Sequence, residues 1–311
     1  MIPLLTTPGG NRVSTLCFGT MQFGGTADET ASREMYDACR AAGVNFFDTA
    51  HAYTGGASET LLGRFAAPER DAVMIATKVC YDRPASHQNI LESFDESRRR
   101  LGSDFVDILY LHRWNDDTAL QESFETLAGL QQAGRIGHIG VSNYAAWQVM
   151  KAQAVARSMG TRIAVLQPMY SLVKRTAEIE ILPMAKQEGF AVTPYSPLGG
   201  GLLTGKYSAG GSGRLTEDAR YGARYAPDWM HAAAQGLAEV AGELGTHPAT
   251  LAVAWAGAHP GVTAPIVSAR SAAQLAPSLA AARIGMDAAL YQRIAGLSPS
   301  PPPATDRLEE T

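Results

Sequence analysis

The feature that most constrains the fold is a regular alternation of short apolar segments with longer amphipathic ones. From residue 15 onward, eight short runs have the composition of buried strands. The predicted strands are 15–18, 44–48, 73–78, 105–112, 138–141, 163–167, 190–193 and 263–267. Predicted helices follow at about 28–42, 58–65, 86–101, 118–133, 144–157, 176–188, 230–244, 248–258, 271–281 and 287–297. Alternation of this kind implies parallel strands joined by helices.

Eight such units predict an α/β fold that closes on itself as a (β/α)8 TIM barrel. An open, doubly wound sheet is the alternative, and a nucleotide-binding version would carry G-x-G-x-x-G after its first strand. The sequence has no such motif at that position. The turn Pro8-Gly9-Gly10-Asn11 predicts an N-terminal β-hairpin over residues 2–13 that closes the bottom of the barrel. Extra helices are expected near the C-terminus.

Composition narrows the remaining possibilities. We predict one barrel domain at residues 1–297 and a disordered, Pro-rich and then charged tail at 298–311. A formal charge of −4 gives no support for nucleic acid as a partner. No apolar run approaches the roughly 20 residues that a membrane span needs. Three cysteines and the lack of a visible secretory signal predict a cytoplasmic protein.

Three predicted strands end in residues that carry chemistry. Asp48, Lys78 and His112 close the second, third and fourth strands, and Tyr53 lies on the loop after Asp48. Each has an ordinary explanation: a strand-end ion pair, a solvated terminus, a core histidine and a surface tyrosine. In a parallel barrel, however, all strand ends of one polarity open on the same face. We therefore expect the four side chains to share one rim.

These four residue types suit one reaction. A tyrosine hydroxyl has a pKa near about 10, and a neighbouring lysine ammonium favours the phenolate and lowers that value. The aspartate would hold the lysine in place, and the histidine would hydrogen-bond a substrate oxygen. The set contains no nucleophile for a covalent intermediate. It predicts protonation of a carbonyl oxygen while hydride arrives at the carbon.

Three longer motifs contain or flank these residues. They are Asp48-Thr49-Ala50-x-x-Tyr53 with Gly56-x-Ser58-Glu59 and Leu62-Gly63; Leu101-Gly102-x-Asp104-x-Val106-Asp107-x-x-x-Leu111-His112-Arg113; and Gly134-x-Ile136-x-x-Ile139-Gly140-Val141-Ser142-Asn143. The chain resembles the aldo-keto reductase family from about residue 13 to 283. In motif style it is closest to the bacterial aldo/keto reductases and the potassium-channel β-subunit branch. The resemblance implies reversible, NADPH-dependent reduction of an aldehyde or ketone. Tyr53 would be the proton donor, Lys78 and Asp48 its partners, and His112 the residue that orients the carbonyl.

The resemblance also implies a cofactor site for NADP (NADPH), bound without a Rossmann fold. The expected cofactor-binding residues are Gly19, Thr20, Met21, Asp48, Ser142, Asn143, Gln167, Tyr195, Ser196, Pro197, Leu198, Gly200, Lys206, Arg214, Ser268, Arg270, Gln274 and Ser278. Tyr195 would stack on the nicotinamide ring, and Ser268 and Arg270 would hold the 2′-phosphate. A guanidinium at a helix start suits a phosphate physically. The alternative for Arg270 is an ion pair with a surface carboxylate.

Other functions remain possible at this point. Some proteins that resemble this family are non-catalytic, NADP(H)-binding or redox-sensing subunits of larger assemblies. A metal-dependent hydrolase could use His51 and His112, but the sequence has no H-x-H or H-E-x-x-H motif, and we predict no metal. Gly200-x-x-x-x-Gly205-Lys206 matches a P-loop except that Tyr207 stands where Ser or Thr is required. The expected partner is a small carbonyl substrate. Arg113, beside His112, would either reach this substrate or brace the rim. The sequence does not indicate an oligomeric state.

Overall fold

The structure, a computed structural model, describes residues 5–207, 210–307 and 309. Within these residues eight parallel strands form one sheet in the order β7-β6-β5-β4-β3-β2-β1-β8. They are β1 Cys17–Gly19, β2 Phe46–Asp48, β3 Met74–Val79, β4 Val106–Leu111, β5 Ile136–Ser142, β6 Ile163–Gln167, β7 Ala191–Val192 and β8 Ile266–Val267. The sheet closes because Thr263 N and Ile266 N donate to Val192 O and Pro194 O, both at 2.8 Å. The predicted (β/α)8 TIM barrel is confirmed.

Twelve α-helices lie in the described part of the chain. They are α1 Glu29–Ala41, α2 Ala57–Ala66, α3 His87–Leu101, α4 Leu120–Gln132, α5 Ala146–Ser158, α6 Ile181–Glu188, α7 Arg214–Glu217, α8 Ala219–Arg224, α9 Asp228–Glu243, α10 Pro248–Ala258, α11 Ala272–Ala280 and α12 Ala288–Ala295. The predicted helix 176–188 is wrong in its first half, which forms a 3-10 turn at Thr176–Glu178. A continuous helix would drive the Pro183 ring against the carbonyl of Ile179, so α6 begins only at residue 181.

The barrel interior is filled by side chains from the inner faces of the strands. Phe46, Met74, Ile108 and Tyr110 belong to this buried group, and Leu5 packs with them. Leu5 is 1% exposed, and its carbonyl accepts a hydrogen bond from Val13 N. Leu5 therefore covers the N-terminal end of the barrel and leaves the opposite end open.

The predicted N-terminal hairpin is present as one antiparallel bridge rather than two strands. Thr6 pairs with Arg12, and Gly10 N donates to Thr7 O across the turn. Residues 2–4 of the predicted hairpin lie outside the described residues. At the other terminus Ser298 is buried, and its hydroxyl accepts from Arg175 Nη1 at 3.3 Å. The division into a barrel domain and a tail beginning at residue 298 stays a prediction. None of the helices in the described ranges has the length and hydropathy to cross a membrane.

The approach of α2 to α3 gives a test of the packing. A Cβ added at Gly63 would lie 2.3 Å from the carbonyl oxygen of Leu101, a backbone atom that cannot move away alone. We expect Gly63→Ala to lower the free energy of unfolding by about 2 kcal/mol or more, since the clash outweighs the helix preference of alanine. Denaturant-induced unfolding measures the change.

Gly129 supplies the matched control. It lies within α4 and is exposed, and a Cβ added there would have no neighbouring atom within 4 Å. Gly129→Ala should therefore raise the free energy of unfolding by about 0.5–1 kcal/mol. Equal effects of the two substitutions would show that α2 and α3 are not in backbone contact.

Candidate active site

A buried ion pair lies at the open end of the barrel. Asp48 is the last residue of β2, and Lys78 lies on the neighbouring β3; they are 3% and 1% exposed. Lys78 Nζ donates to Asp48 Oδ1, and at 2.8 Å to the carbonyl oxygen of Thr49. The second carboxylate oxygen, Asp48 Oδ2, accepts from Gln167 Nε2 at 2.9 Å. Groups from β2, β3 and β6 thus hold the ion pair in one position.

Tyr53 reaches this ammonium from the loop after β2. Its hydroxyl lies 3.4 Å from Lys78 Nζ, and its ring centroid lies 5.0 Å from the same atom. The His112 ring, directly after β4, meets the Tyr53 ring edge-on at a centroid distance of 5.8 Å. The structure therefore brings together all four residues that the sequence predicted for one rim.

The loop that carries Tyr53 is braced by α3. Arg100 Nη1 donates to His51 O at 3.0 Å and to Glu59 Oε2 at 3.2 Å. Glu59 is fully buried, and its other oxygen accepts from Thr77 Oγ1 at 2.6 Å. The guanidinium also fills the space beside Gly56, where a Cβ would lie 2.4 Å from Cζ. The sequence did not predict a role for Arg100. Glu59, a carboxylate of the first motif on the buried face of α2, could have indicated that a cation must pair with it.

A cluster of hydroxyl groups joins the loops after β1 and β2. Ser58 Oγ donates to Thr20 O at 2.8 Å and lies 2.9 Å from Thr49 Oγ1. Thr20 is fully buried in this cluster, whereas Met21 is partly exposed at the mouth. Of the two residues, Met21 is the one whose side chain is open to a bound molecule.

The residues predicted to bind the nicotinamide form one connected group beside the ion pair. Ser142 Oγ donates to Gln167 O at 2.9 Å, and Asn143 Nδ2 donates to His112 O at 2.9 Å. Tyr195 OH donates to Asn143 Oδ1 at 2.7 Å. Asn143 has a φ of 59°, a backbone conformation that costs free energy in any residue other than glycine. The site thus extends from β4 across β5 and β6 to the residues after β7.

The residues predicted to hold the phosphates lie after β7 and β8. Pro197 is buried, and Leu198 precedes a 3-10 turn, Gly199–Thr204, in which Gly200 has a φ of 66°. Lys206 Nζ lies 4.8 Å from the Tyr207 ring, and Arg214 Cζ lies 4.9 Å from the Tyr221 ring. The part of the chain described after Lys206 shows no helix until residue 214, and residues 208 and 209 are outside it, so the P-loop alternative gains no support.

Arg270 forms an ion pair with a surface carboxylate, which was the alternative to a role in phosphate binding. Arg270 Nη2 lies 2.8 Å from Glu217 Oε2, and Arg270 N donates to Gln274 Oε1 at 3.2 Å. Ser268 Oγ is buried and has no hydrogen-bond partner among the described residues. Ser278 is 1% exposed on α11, and its contact with a cofactor stays a prediction. The unpartnered Ser268 hydroxyl, two residues before the partly exposed Arg270, fits a phosphate.

Burial is the main cause of the shifted pKa values of Tyr53 and His112. It raises the pKa of Tyr53 by more than the adjacent Lys78 lowers it. We expected Lys78 to make the pKa of Tyr53 lower than usual. That prediction is wrong, because the pKa is raised overall. Burial, followed by the positive charges of Lys78 and Arg113, lowers the pKa of His112 to about 2. His112 is a neutral imidazole at physiological pH.

The metal-dependent alternative has no ligand set in the described structure. His51 Nε2 lies 2.7 Å from Glu96 Oε2 on α3. Residues 5–207, 210–307 and 309 contain no group of three or more His, Cys, Asp or Glu side chains that could hold a metal ion.

Comparison with known proteins shows which family the chain belongs to. A model of the aldo/keto reductase family matches residues 15–299, so the chain belongs to this family. The Bacillus subtilis protein named uncharacterized oxidoreductase YrpG is 34% identical over 316 residues, covering 94% of each chain. A probable voltage-gated potassium channel subunit beta of Oryza sativa subsp. japonica is 32% identical, covering 88% of each chain. Norsolorinic acid reductase stcV of Emericella nidulans is 37% identical over 64% of this chain and 57% of its own. The protein is an oxidoreductase of this family.

The buried pair gives a prediction for stability. Lys78→Met leaves the Asp48 carboxylate buried without its cation, and we expect the free energy of unfolding to fall by about 3–5 kcal/mol. The double variant Asp48→Asn with Lys78→Met removes both charges and should recover most of that loss. Denaturant unfolding measures both. A single variant as stable as the wild type, or a double variant no better than the single one, would contradict a tightly coupled pair.

Proposed function

We propose that this protein catalyses the reversible, NADPH-dependent reduction of an aldehyde or ketone to an alcohol. The observation that carries the proposal is the Tyr53 hydroxyl 3.4 Å from the buried Lys78 ammonium, beside His112 at the open end of the barrel. NADPH, when bound, supplies a hydride from nicotinamide C4. Family membership supports oxidoreductase chemistry in general, and the geometry of these side chains supports the finer assignment.

Tyr53 acts as the general acid in this proposal. Its raised pKa keeps the phenol protonated at neutral pH, so a proton is available for the carbonyl oxygen. When the proton leaves, Lys78 Nζ stabilises the phenolate that remains. Asp48 and Thr49 O keep the ammonium in place throughout.

His112 orients the carbonyl as a neutral hydrogen-bond donor. Its Nδ1 is fully buried without a partner among the described residues, whereas Nε2 is not fully buried. We assign the proton to Nε2, because an N–H at Nδ1 would be buried without an acceptor. A donor on the imidazole that packs against the Tyr53 ring would polarise the carbonyl without itself titrating.

The proposed cofactor residues are those predicted from the sequence, from Gly19 around the rim to Ser278. Ser142, Asn143 and Gln167 would hold the nicotinamide amide, Tyr195 would stack on its ring, and Lys206 and Arg214 would contact the pyrophosphate. Selectivity for NADPH over NADH is proposed to come from Arg270 with the unpartnered Ser268 hydroxyl. The three cysteines, all buried and free, fit a cytoplasmic location.

A second candidate is a non-catalytic, NADP(H)-binding subunit of a larger assembly. The similarity to proteins named potassium channel subunit beta supports it. Tight NADPH binding without turnover, across a broad panel of aldehydes, ketones and keto-sugars, would favour this function over the first. Oxidation of NADPH, followed by its absorbance, is the measurement.

Removing the Tyr53 hydroxyl tests the proton donor. We expect Tyr53→Phe to leave NADPH binding intact and to reduce turnover by about 100-fold or more, the usual contribution of a general acid. Tyr36→Phe removes a phenol that donates a hydrogen bond to Glu69, and it should leave turnover near the wild-type value. Unchanged turnover in Tyr53→Phe would contradict the assignment of Tyr53 as proton donor.

The pH dependence of the reaction is a second test. We expect kcat/KM for reduction to be constant between about pH 6 and pH 9, because neither Tyr53 nor His112 titrates in this range. A change of kcat/KM at about pH 6.5 that disappears in His112 variants would contradict the neutral state of His112.

Arg270 and its ion-pair partner test the cofactor preference. Arg270→Ala should weaken NADPH binding about tenfold or more and NADH binding little, because only NADPH carries the 2′-phosphate. Glu217→Gln breaks the same ion pair but keeps the guanidinium, so it should retain the preference for NADPH. Arg293→Ala, which breaks the remote pair with Glu243, controls for loss of a surface arginine. Cofactor titration by fluorescence measures each. Equal losses for both cofactors in Arg270→Ala would refute the phosphate role.

A further inference from the structure

The rim beside His112 carries a second pair of side chains that the proposed reaction does not use. Tyr81 follows β3, and its ring centroid lies 4.7 Å from that of His112. Arg113 follows His112 directly, and its Cζ lies 5.3 Å from the centroid of the Tyr81 ring. The charge of Arg113 also contributes to the lowered pKa of His112. A cation and an aromatic face thus lie next to the group that orients the carbonyl.

Arg113 is exposed and makes no hydrogen bond or ion pair within the described chain. Two other arginines near Tyr81 have carboxylate partners: Arg83 lies 3.8 Å from Asp82, and Arg220 lies 3.0 Å from Asp218. The two carboxylates that follow Arg113 in sequence accept hydrogen bonds from side chains of their own loop. Asp116 accepts from Trp114 Nε1 at 2.7 Å, and Asp117 accepts from Asn115 Nδ2 at 3.2 Å. The guanidinium of Arg113 therefore keeps its donors available for a ligand.

The backbone immediately before Tyr81 adopts a strained conformation. Cys80 has a φ of 60°, in the left-handed region that residues other than glycine rarely adopt. Tyr81 is nevertheless 47% exposed, so burial of its ring does not explain the strain. Strain of this kind persists where the surrounding structure over-determines it, often at ligand sites.

The position of Arg113 in the barrel separates it from the proposed phosphate site. Arg113 follows β4 and Arg270 follows β8, and these strands lie four places apart in an eight-stranded closed sheet. They are on opposite sides of the mouth. Lys206 and Arg214 follow β7, next to β8. A cation on the β4 side does not face a cofactor whose phosphates lie between β7 and β8.

We propose that Arg113 and Tyr81 form an anion subsite, and that the physiological substrate is a carbonyl compound that also carries a carboxylate. A planar guanidinium binds a carboxylate in a bidentate manner, and the Tyr81 ring holds the Arg113 guanidinium by a cation–π contact. The inference rests on the proposed function, because it assigns the substrate class of the same site.

The test compares two aldehydes that differ in charge and little in shape. We use 4-carboxybenzaldehyde and methyl 4-formylbenzoate with the NADPH-loaded enzyme, and repeat the comparison with the 3-substituted isomers. The wild type should prefer the acid over its ester by about tenfold in kcat/KM, for one isomer at least. The preference should fall as salt rises, because Arg113 is exposed.

Variants then assign the preference to one residue. Arg113→Gln should bring the acid-to-ester ratio close to one, and Arg113→Lys should keep part of the preference. Arg83→Gln removes an arginine of the loop after β3 that already has carboxylate partners, and should leave the ratio unchanged. A wild-type ratio near one for both isomers, or a ratio that Arg113→Gln does not change, overturns the proposal.

A binding measurement separates failure of the subsite from failure of the proposed reaction. Quenching of tryptophan fluorescence by 4-(hydroxymethyl)benzoate, with NADPH saturating, does not depend on turnover, because the alcohol and NADPH are both in the reduced state. Binding that is lost in Arg113→Gln supports the subsite even if no aldehyde is reduced. Turnover of the esters without any Arg113-dependent binding of the carboxylate would overturn the subsite and leave the reductase standing.

Discussion

The contact between Lys78 and Asp48 is the interaction on which the rest of the site depends. Two opposite charges that are almost fully buried are tolerated only when each is paired and its remaining polar atoms are satisfied. Here the carboxylate has one oxygen on Lys78 and the other on Gln167, and the ammonium has a backbone carbonyl and a phenol as further partners. Side chains from β2, β3 and β6 must therefore meet at one point. A closed barrel, in which all strand ends open on one face, provides that meeting point.

The loop that carries Tyr53 is supported from outside the barrel. Arg100 on α3 links the loop carbonyl of His51 to the buried carboxylate of Glu59 on α2. Because Thr77 on β3 binds the same carboxylate, the loop, two helices and the strand of Lys78 form one hydrogen-bonded unit. The position of the Tyr53 hydroxyl, 3.4 Å from an ammonium, thus depends on groups that never touch it.

Much of this could be predicted from sequence because it follows from local patterns. The periodic alternation of strands and helices predicted the barrel, and polar residues at three strand ends predicted Asp48, Lys78 and His112 as neighbours. Other features depend on contacts between distant segments and leave no periodic signal. Helices α7 and α8 are too short to show a hydrophobic face, and the pairing of Arg270 with Glu217 joins residues 53 positions apart. The raised pKa of Tyr53 could not be predicted either, because it depends on how far burial outweighs one neighbouring charge.

The backbone itself carries the cost of gathering these groups. Cys80, Asn143 and Ser196 follow β3, β5 and β7, and their φ values are 60°, 59° and 61°. Each such residue costs of the order of 1–3 kcal/mol, which only a rigid surrounding structure can impose. The turn at each position redirects the chain at the mouth of the barrel, where Tyr81, the amide of Asn143 and Tyr195 are found. Stable strand pairing in the barrel therefore makes a strained rim possible at the ends of the strands.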